Sequence, residues 1–311
     1  MERNSGDILS QLATHFFSRN YDYLWLRTML ECAGSTEETG ATLITGSSHA
    51  LNGIKESFWR RAFNCSMHSQ DIYYDFQCAR HVLDTARSRF ARCFIVMGYY
   101  IAYQDLSLSK VSRETVIANI YYPILRDAHN WESPTGRDPW DGLGEVSPSV
   151  KEVCERAAVN KLLEYGTYYS EIRPRGTLFD LRGRTWAQVP PEERMALGQV
   201  RTAAHNKIFQ YKESFQENKQ ILLEFIQYLY EKAVQPIVVI TPFSPEYNRF
   251  ILPEMKAGVL ELLDAVPQNV HYVDFNEALE LFDSEDYMDT DHLSARGAEK
   301  VSGILVDMFG V

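Results

Sequence analysis

In the chain of 311 residues no run of lysine or arginine forms a basic stripe, and the formal charge is −11. An acidic chain without a basic stripe is a poor partner for nucleic acid or an anionic membrane. No stretch of apolar residues is long enough to span a bilayer. The first residues, MERNSGDILSQLATHFF, lack a basic segment followed by an apolar one, so no secretory signal is legible there. No CxxC spacing occurs among the five cysteines, Cys32, Cys65, Cys78, Cys93 and Cys154. An odd count without that spacing fits reduced thiols in a cytoplasmic protein better than a disulfide framework. Cys65 and Cys93 lie in apolar, strand-like runs and read as small core residues. Internal repeats are missing too.

What is present is the composition of a globular protein. The length suffices for one large α/β domain or two small ones, with a sizeable core. The 18 tyrosines are many for this length, and such residues line carbohydrate and protein contact sites as well as half-buried positions.

Apolar runs and turn residues divide the chain. Residues 1–40 read as helix, turn and helix, an N-terminal helical extension. Short buried strands are expected at 41–46 (ATLITG), near AFNCS, at 93–100 (CFIVMGYY), in QPIVVITP and at 270–275 (VHYVDF). Helical patterns fall near 50–62, 70–88, 113–128, 148–164, 249–263 and 294–309. The segment 193–232 keeps helical spacing without an internal proline and predicts one long helix packed on one face. Residues 129–190 are rich in Pro, Gly, Trp and charge, and belong to an insertion spanning about 106–232. Strands alternating with helices from residue 41 to 311 predict an α/β domain with a five-stranded, mostly parallel sheet between helical layers. Functional groups in such sheets gather at the carboxyl ends of the strands.

Two such places stand out. One is Gly46-Ser47-Ser48, straight after the first strand. A serine there is either a nucleophile or a helix cap. The other is DYMDTDHLSARGAEK, where Asp289 precedes His292 by three residues and a final helix follows. Serine is a weak nucleophile that needs a base within hydrogen-bond reach, and the base needs a partner that fixes its tautomer. Asp289 can reach Nδ1 of His292 from one turn away, leaving Nε2 to face the serine.

The early GSS and the late DTDHLSARGA together resemble the SGNH, or GDSL-like, hydrolase superfamily. They are particularly similar to its branch near the lipoteichoic acid D-alanylation protein DltD and surface-polysaccharide acyl esterases. The resemblance covers roughly 41–105 and 235–311 and is specific mainly at its two ends. It implies a flavodoxin-like fold and an esterase or acyltransferase with Ser48 as nucleophile, His292 as base and Asp289 as the orienting acid. It also implies an acylated carbohydrate or similar ester as substrate, partners in a polysaccharide biosynthetic pathway, and neither cofactor nor metal. The oxyanion is expected on the backbone N–H groups of Ser48 and Ser69, joined by Tyr100 or Asn64.

The family's middle blocks depart here. Ser69, in NCSMHSQD, stands at or near a glycine whose N–H donates to the oxyanion; the exchange is harmless if the turn needs no positive φ. In GYYIAYQD, Gly98 is kept but Tyr100 takes the place of an asparagine side-chain donor. Tyr99 and His68 are the expected substrate contacts; Tyr99, Tyr100 and Tyr103 can form an aromatic wall for a sugar ring or simply pack in the core.

Other readings of these residues carry different consequences. GSSHA is not the Gly-x-Ser-x-Gly elbow of α/β-hydrolases, because Ala50 replaces the second glycine. DSEDYMDTDH lacks the glycine and spacing of an EF-hand. His49 is expected to point away from Ser48, and His205 to be a face or core histidine of the long helix. A catalytically impaired descendant that binds a glycan or protein through the same cleft would account for the degenerate middle blocks. A scaffold docking through the 193–232 helix would need an exposed apolar stripe along it.

Overall fold

The computed structural model describes residues 2–164, 168–173, 178–266 and 270–310. Its five strands, β1 (Ala41–Gly46), β2 (Ala62–Asn64), β3 (Phe90–Met97), β4 (Gln235–Ile240) and β5 (His271–Asp274), fall on the five apolar runs. They form one sheet, ordered β2-β1-β3-β4-β5, with every pairing parallel. This is the flavodoxin-like order, in which the chain switches direction between β1 and β3 and opens a crevice at their carboxyl ends.

Side chains alternate across these strands, so each strand feeds two cores. Leu43, Ile95, Val238 and Ile240 face a layer made by α2 (Tyr21–Ser35), α4 (Ile72–Thr85), α8 (Lys212–Glu231) and α9 (Pro253–Asp264). Ile44, Phe94, Val96, Ile237 and Val239 face the opposite layer, built on α3 (Ser48–Gly53) and α10 (Ala295–Phe309), with Trp59 and Trp186. Burial on both faces explains why the strands read as continuous apolar runs rather than as alternating ones.

The N-terminal pair, α1 (Glu2–Arg19) and α2, belongs to the first layer: Leu24, Trp25, Leu26, Leu30 and Ala33 are buried in the same core as Leu43. Among the described residues the insertion is built on α5 (110–125, π-helical over Arg113–Tyr121), α6 (Pro148–Glu164) and α7 (Pro191–Asn206), and ends with α8. Pro174 to Thr177 of its Pro- and Gly-rich segment lie outside the described residues.

Two expectations need correction. The strand expected at 93–100 runs from Phe90 to Met97, and Tyr99–Tyr103 form a 3-10 turn. Val96 pairs with the last residue of β1 and Met97 with the last of β4, so no neighbouring strand continues the ladder. The expected long helix is two helices, α7 and α8, with a 3-10 turn over Lys207–Gln210 between them. No Pro or Gly makes the break. Asn206 makes it: its Nδ2 donates to Phe250 O at 2.9 Å and its Oδ1 accepts from Leu252 N at 3.1 Å, clamping the end of α7 to the chain before α9. Beyond the turn α8 lays Phe215, Leu222, Phe225, Ile226 and Leu229 into the core, so its apolar face is buried rather than offered to a partner. Among the described residues no helix is long and apolar enough to cross a membrane.

Candidate active site

β1 ends on Gly46 because nothing larger fits. Its φ is +145°, and a Cβ there would lie 2.0 Å from Val96 O on the neighbouring strand. The turn lets the chain leave the sheet and start α3 at once. Ser47 is the N-cap, its Oγ accepting from His49 N at 3.4 Å. Ser48 opens the helix, so the two serines divide the roles of cap and candidate nucleophile. As a first-turn residue Ser48 has an N–H with no carbonyl one turn back to accept it.

At the other end of the chain, the turn before α10 delivers His292. Ser48 Oγ and His292 Nε2 are 2.8 Å apart, across 244 residues of sequence. On the far side of the ring, His292 Nδ1 lies 3.0 Å from Asp289 Oδ1 and 3.2 Å from Oδ2. Asp289 Oδ1 also accepts the backbone N–H groups of Asp291 and His292, at 3.1 and 3.0 Å. The carboxylate therefore fixes both the turn and the ring. All three residues are buried: Ser48 is 7% exposed, His292 5% and Asp289 0%. Burial disfavours the imidazolium, but the carboxylates of Asp289 and Asp291 outweigh it and raise the pKa of His292 above its ordinary 6.5.

The remaining expected residues are placed as follows. Ser69 takes φ = 60°, so the turn does use the left-handed conformation, and a serine holds what a glycine would adopt without strain. Its carbonyl accepts from Gln104 Nε2 at 2.6 Å. Asn64 is engaged inside the fold: Nδ2 donates to Ala50 O at 3.2 Å and Oδ1 accepts from Ser66 N at 3.1 Å, tying α3 to the end of β2. Tyr100 is buried, its hydroxyl 3.3 Å from His49 Nε2 and its ring stacked on His205 at 3.8 Å. Tyr99 donates its hydroxyl to Asp274 at 2.7 Å under β5, and is 2% exposed. Tyr103 stacks on Phe215 in the core. His68 lies edge-on to Tyr169 in the insertion.

Several neighbours of the site carry no local sequence signal. His49 stacks on the His292 ring at 5.2 Å, with 15° between the planes. Burial, reinforced by His292, lowers its pKa to about 3, so it stands neutral. Gly98 leaves room for this stack, since a Cβ there would meet Tyr100 at 2.9 Å and His49 at 3.2 Å. Asn52 donates to Ser48 O at 3.0 Å and accepts from Ser170 Oγ at 2.6 Å, while Tyr168 donates to Asn52 O. The insertion thus lies directly on α3, and Leu178 N reaches Asp289 Oδ2 at 3.4 Å. Arg201 of α7 holds Asp291, the residue before His292. The sequence spacing of Asp291 hints at a role; nothing marks Arg201, ninety positions away.

Among the described residues, two groups bring His and carboxylates together closely enough to share an ion. Asp289, Asp291 and His292 lie close enough to share a cation, but Asp289 faces the imidazole and Arg201 occupies Asp291. Asp105, His129 and Glu217 form the second, where Nδ1 of His129 lies 3.3 Å from Asp105 and Nε2 lies 3.2 Å from Glu217. A carboxylate at each ring nitrogen is the geometry of an imidazolium ion pair.

The chain matches no family model, and comparison with curated protein sequences finds no match.

Proposed function

We propose that this protein is a serine esterase or O-acyltransferase of the SGNH type, acting on an acylated carbohydrate or a similar ester. The observation that carries the reading is the Ser48–His292–Asp289 chain of contacts at the carboxyl edge of a parallel sheet, beside the switch between β1 and β3. In the proposed reaction Ser48 Oγ attacks the ester carbonyl as its proton passes to His292 Nε2. Asp289 keeps the ring's second N–H aimed at its carboxylate. The tetrahedral oxyanion rests on the Ser48 and Ser69 N–H groups. His292 then gives its proton to the departing alcohol, leaving an acyl-serine. Water or a sugar hydroxyl, deprotonated by His292, then attacks the acyl carbon; the acyl–Oγ bond breaks and His292 returns the proton to Ser48 Oγ. A cavity of about 290 Å³ lies against Ser69, lined by Gln104, Asp105, Ser214 and the half-exposed Tyr211 together with the apolar Leu106, Leu108 and Ile208; Ser48 and His292 do not line it, so the carbohydrate class rests on the resemblance of the two sequence motifs.

One observation favours a second reading, a catalytically impaired protein that binds a glycan or a partner at this edge. Both side-chain oxyanion donors, Asn64 and Tyr100, have partners inside the fold. Loss of one such donor costs roughly 3–4 kcal/mol of transition-state stabilisation.

Labelling with a fluorophosphonate, mapped by mass spectrometry, separates the two. Modification at Ser48 that is absent in Ser48→Ala supports the enzyme, and turnover of an ester substrate should then fall by roughly 10⁴-fold or more in that variant. A folded protein in which Ser48 takes no label supports the binding reading instead.

A further inference from the structure

The turn that carries His292 presents two carboxylates to it. Asp289 Oδ1 lies 3.0 Å from His292 Nδ1, and Asp291 Oδ1 lies 4.0 Å from the same atom. Both acids are buried. A base that takes a serine proton must rest as neutral imidazole. Opposite charges within about 4–6 Å favour the charged form, so two unopposed carboxylates here would hold His292 protonated and idle.

Asp291 is opposed. Arg201 Nε lies 3.0 Å from each of its carboxylate oxygens and Nη2 lies 2.9 Å from Oδ2. Thr290 Oγ1 donates to Oδ1 at 2.7 Å. Forked guanidinium–carboxylate contacts of this kind are strong and directional. The side chains of Arg201 and Asp291 are 23% and 0% exposed, so water screens the pair little.

The other groups around the ring bring no compensating charge. Ser48 and His49 of α3 touch it; behind His49 lie Tyr100, from the turn after β3, and His205 of α7, stacked on Tyr100 and bonded to Tyr247. Burial keeps His49 and His205 neutral and raises the Tyr100 hydroxyl above its ordinary range. Arg201 is the cation set against the two acids at this ring.

We propose that Arg201 is a positioning residue for the acyl-transfer reaction: by cancelling the charge of Asp291 it leaves His292 facing one effective carboxylate, and so available to Ser48 as a base near neutral pH. The insertion thereby supplies part of the catalytic electrostatics through α7. This rests on the Ser48–His292 reading of the site.

The test is an NMR titration of the His292 ring protons, assigned by their loss in His292→Gln, which needs no substrate. In Arg201→Met the midpoint should rise by about one pH unit or more. In Asp291→Asn, where the arginine is left unopposed, it should fall. Arg201→Met/Asp291→Asn, with neither charge, should return near the wild-type value. The acid limb of kcat/KM should move with each midpoint. Midpoints that stay put in both single variants, or move in the same direction, overturn the proposal; if Arg201→Met does not fold, Asp291→Asn and the double variant decide. Midpoints that move as stated in a protein whose Ser48 takes no fluorophosphonate sustain the charge arrangement and overturn the esterase reading alone.

Discussion

Gly46 and His292 show how single residues set the terms for the site. A side chain at position 46 would meet Val96 O at 2.0 Å in a conformation that disfavours any Cβ. Gly46→Ala should therefore lower stability by at least about 3 kcal/mol, read by urea denaturation, because β1 and β3 must part to admit the methyl group. His292 has a pKa above its ordinary 6.5, opposed by burial and raised by Asp289 and Asp291. If it is the base, it works only when neutral, so kcat/KM should rise with pH through a midpoint above 6.5 and fall away below it. A profile flat from acid to neutral pH would remove His292 from that role. The candidate triad was legible in the sequence because its chemistry needs a serine at a strand end and an acid one turn before a histidine. Arg201 was not, since an arginine on an amphipathic helix is ordinary until the fold shows what it touches. His49 was expected to point away from Ser48, and what the fold reveals is its stacking on His292.

Among elements, the break between α7 and α8 matters most. Hydrophobic spacing runs through 193–232 without interruption, and periodicity alone cannot distinguish one helix from two that keep the same phase. The decision lies in tertiary hydrogen bonds. Asn206 closes α7 by holding Phe250 O and Leu252 N, which lets Arg201 of α7 reach the turn that carries His292 while α8 packs on the sheet. Asn206→Ala should lose about 1–3 kcal/mol of stability, since Leu252 N loses its acceptor and Phe250 O its donor. The same variant should loosen α7 and lower ester turnover, if Arg201 acts from that helix. Equal stability of Asn206→Ala and wild type in urea denaturation would show that the break has another cause. Likewise Tyr99 and Tyr100 leave the strand pattern because β3 runs out of partners, which no reading of β3 by itself could reveal.

For the whole molecule, the insertion is held together and to the turn after β3 by partly buried polar contacts as well as by apolar packing. His129, at the start of the Pro- and Gly-rich region, bridges Asp105, just after the β3 turn, and Glu217 on α8. Burial opposes charge on this ring, but Asp105, Asp71 and Glu217 together raise its pKa above 6.5. Asp105 is lowered to about 2, where burial is outweighed by His129, Ser107 and Asn130. A raised histidine contributes stability that is complete below its unfolded value and is lost as pH rises through the folded one; a lowered carboxylate does the reverse at acid pH. Wild type should thus lose stability relative to His129→Gln between about pH 5.5 and about pH 8.5, measured by urea unfolding at each. A constant difference across that range would mean that folding leaves the pKa of the ring unshifted. By itself the sequence determined the five strands, their parallel arrangement between helical layers and the two ends of the candidate site, because buried parallel strands and triad chemistry both demand particular residues at particular local spacings. Only the tertiary structure decided where the long helical pattern breaks, which oxyanion candidates are engaged elsewhere, and that Arg201 stands against Asp291. These are contacts between segments far apart in the chain, and a pairwise contact leaves no period in either of the segments that make it.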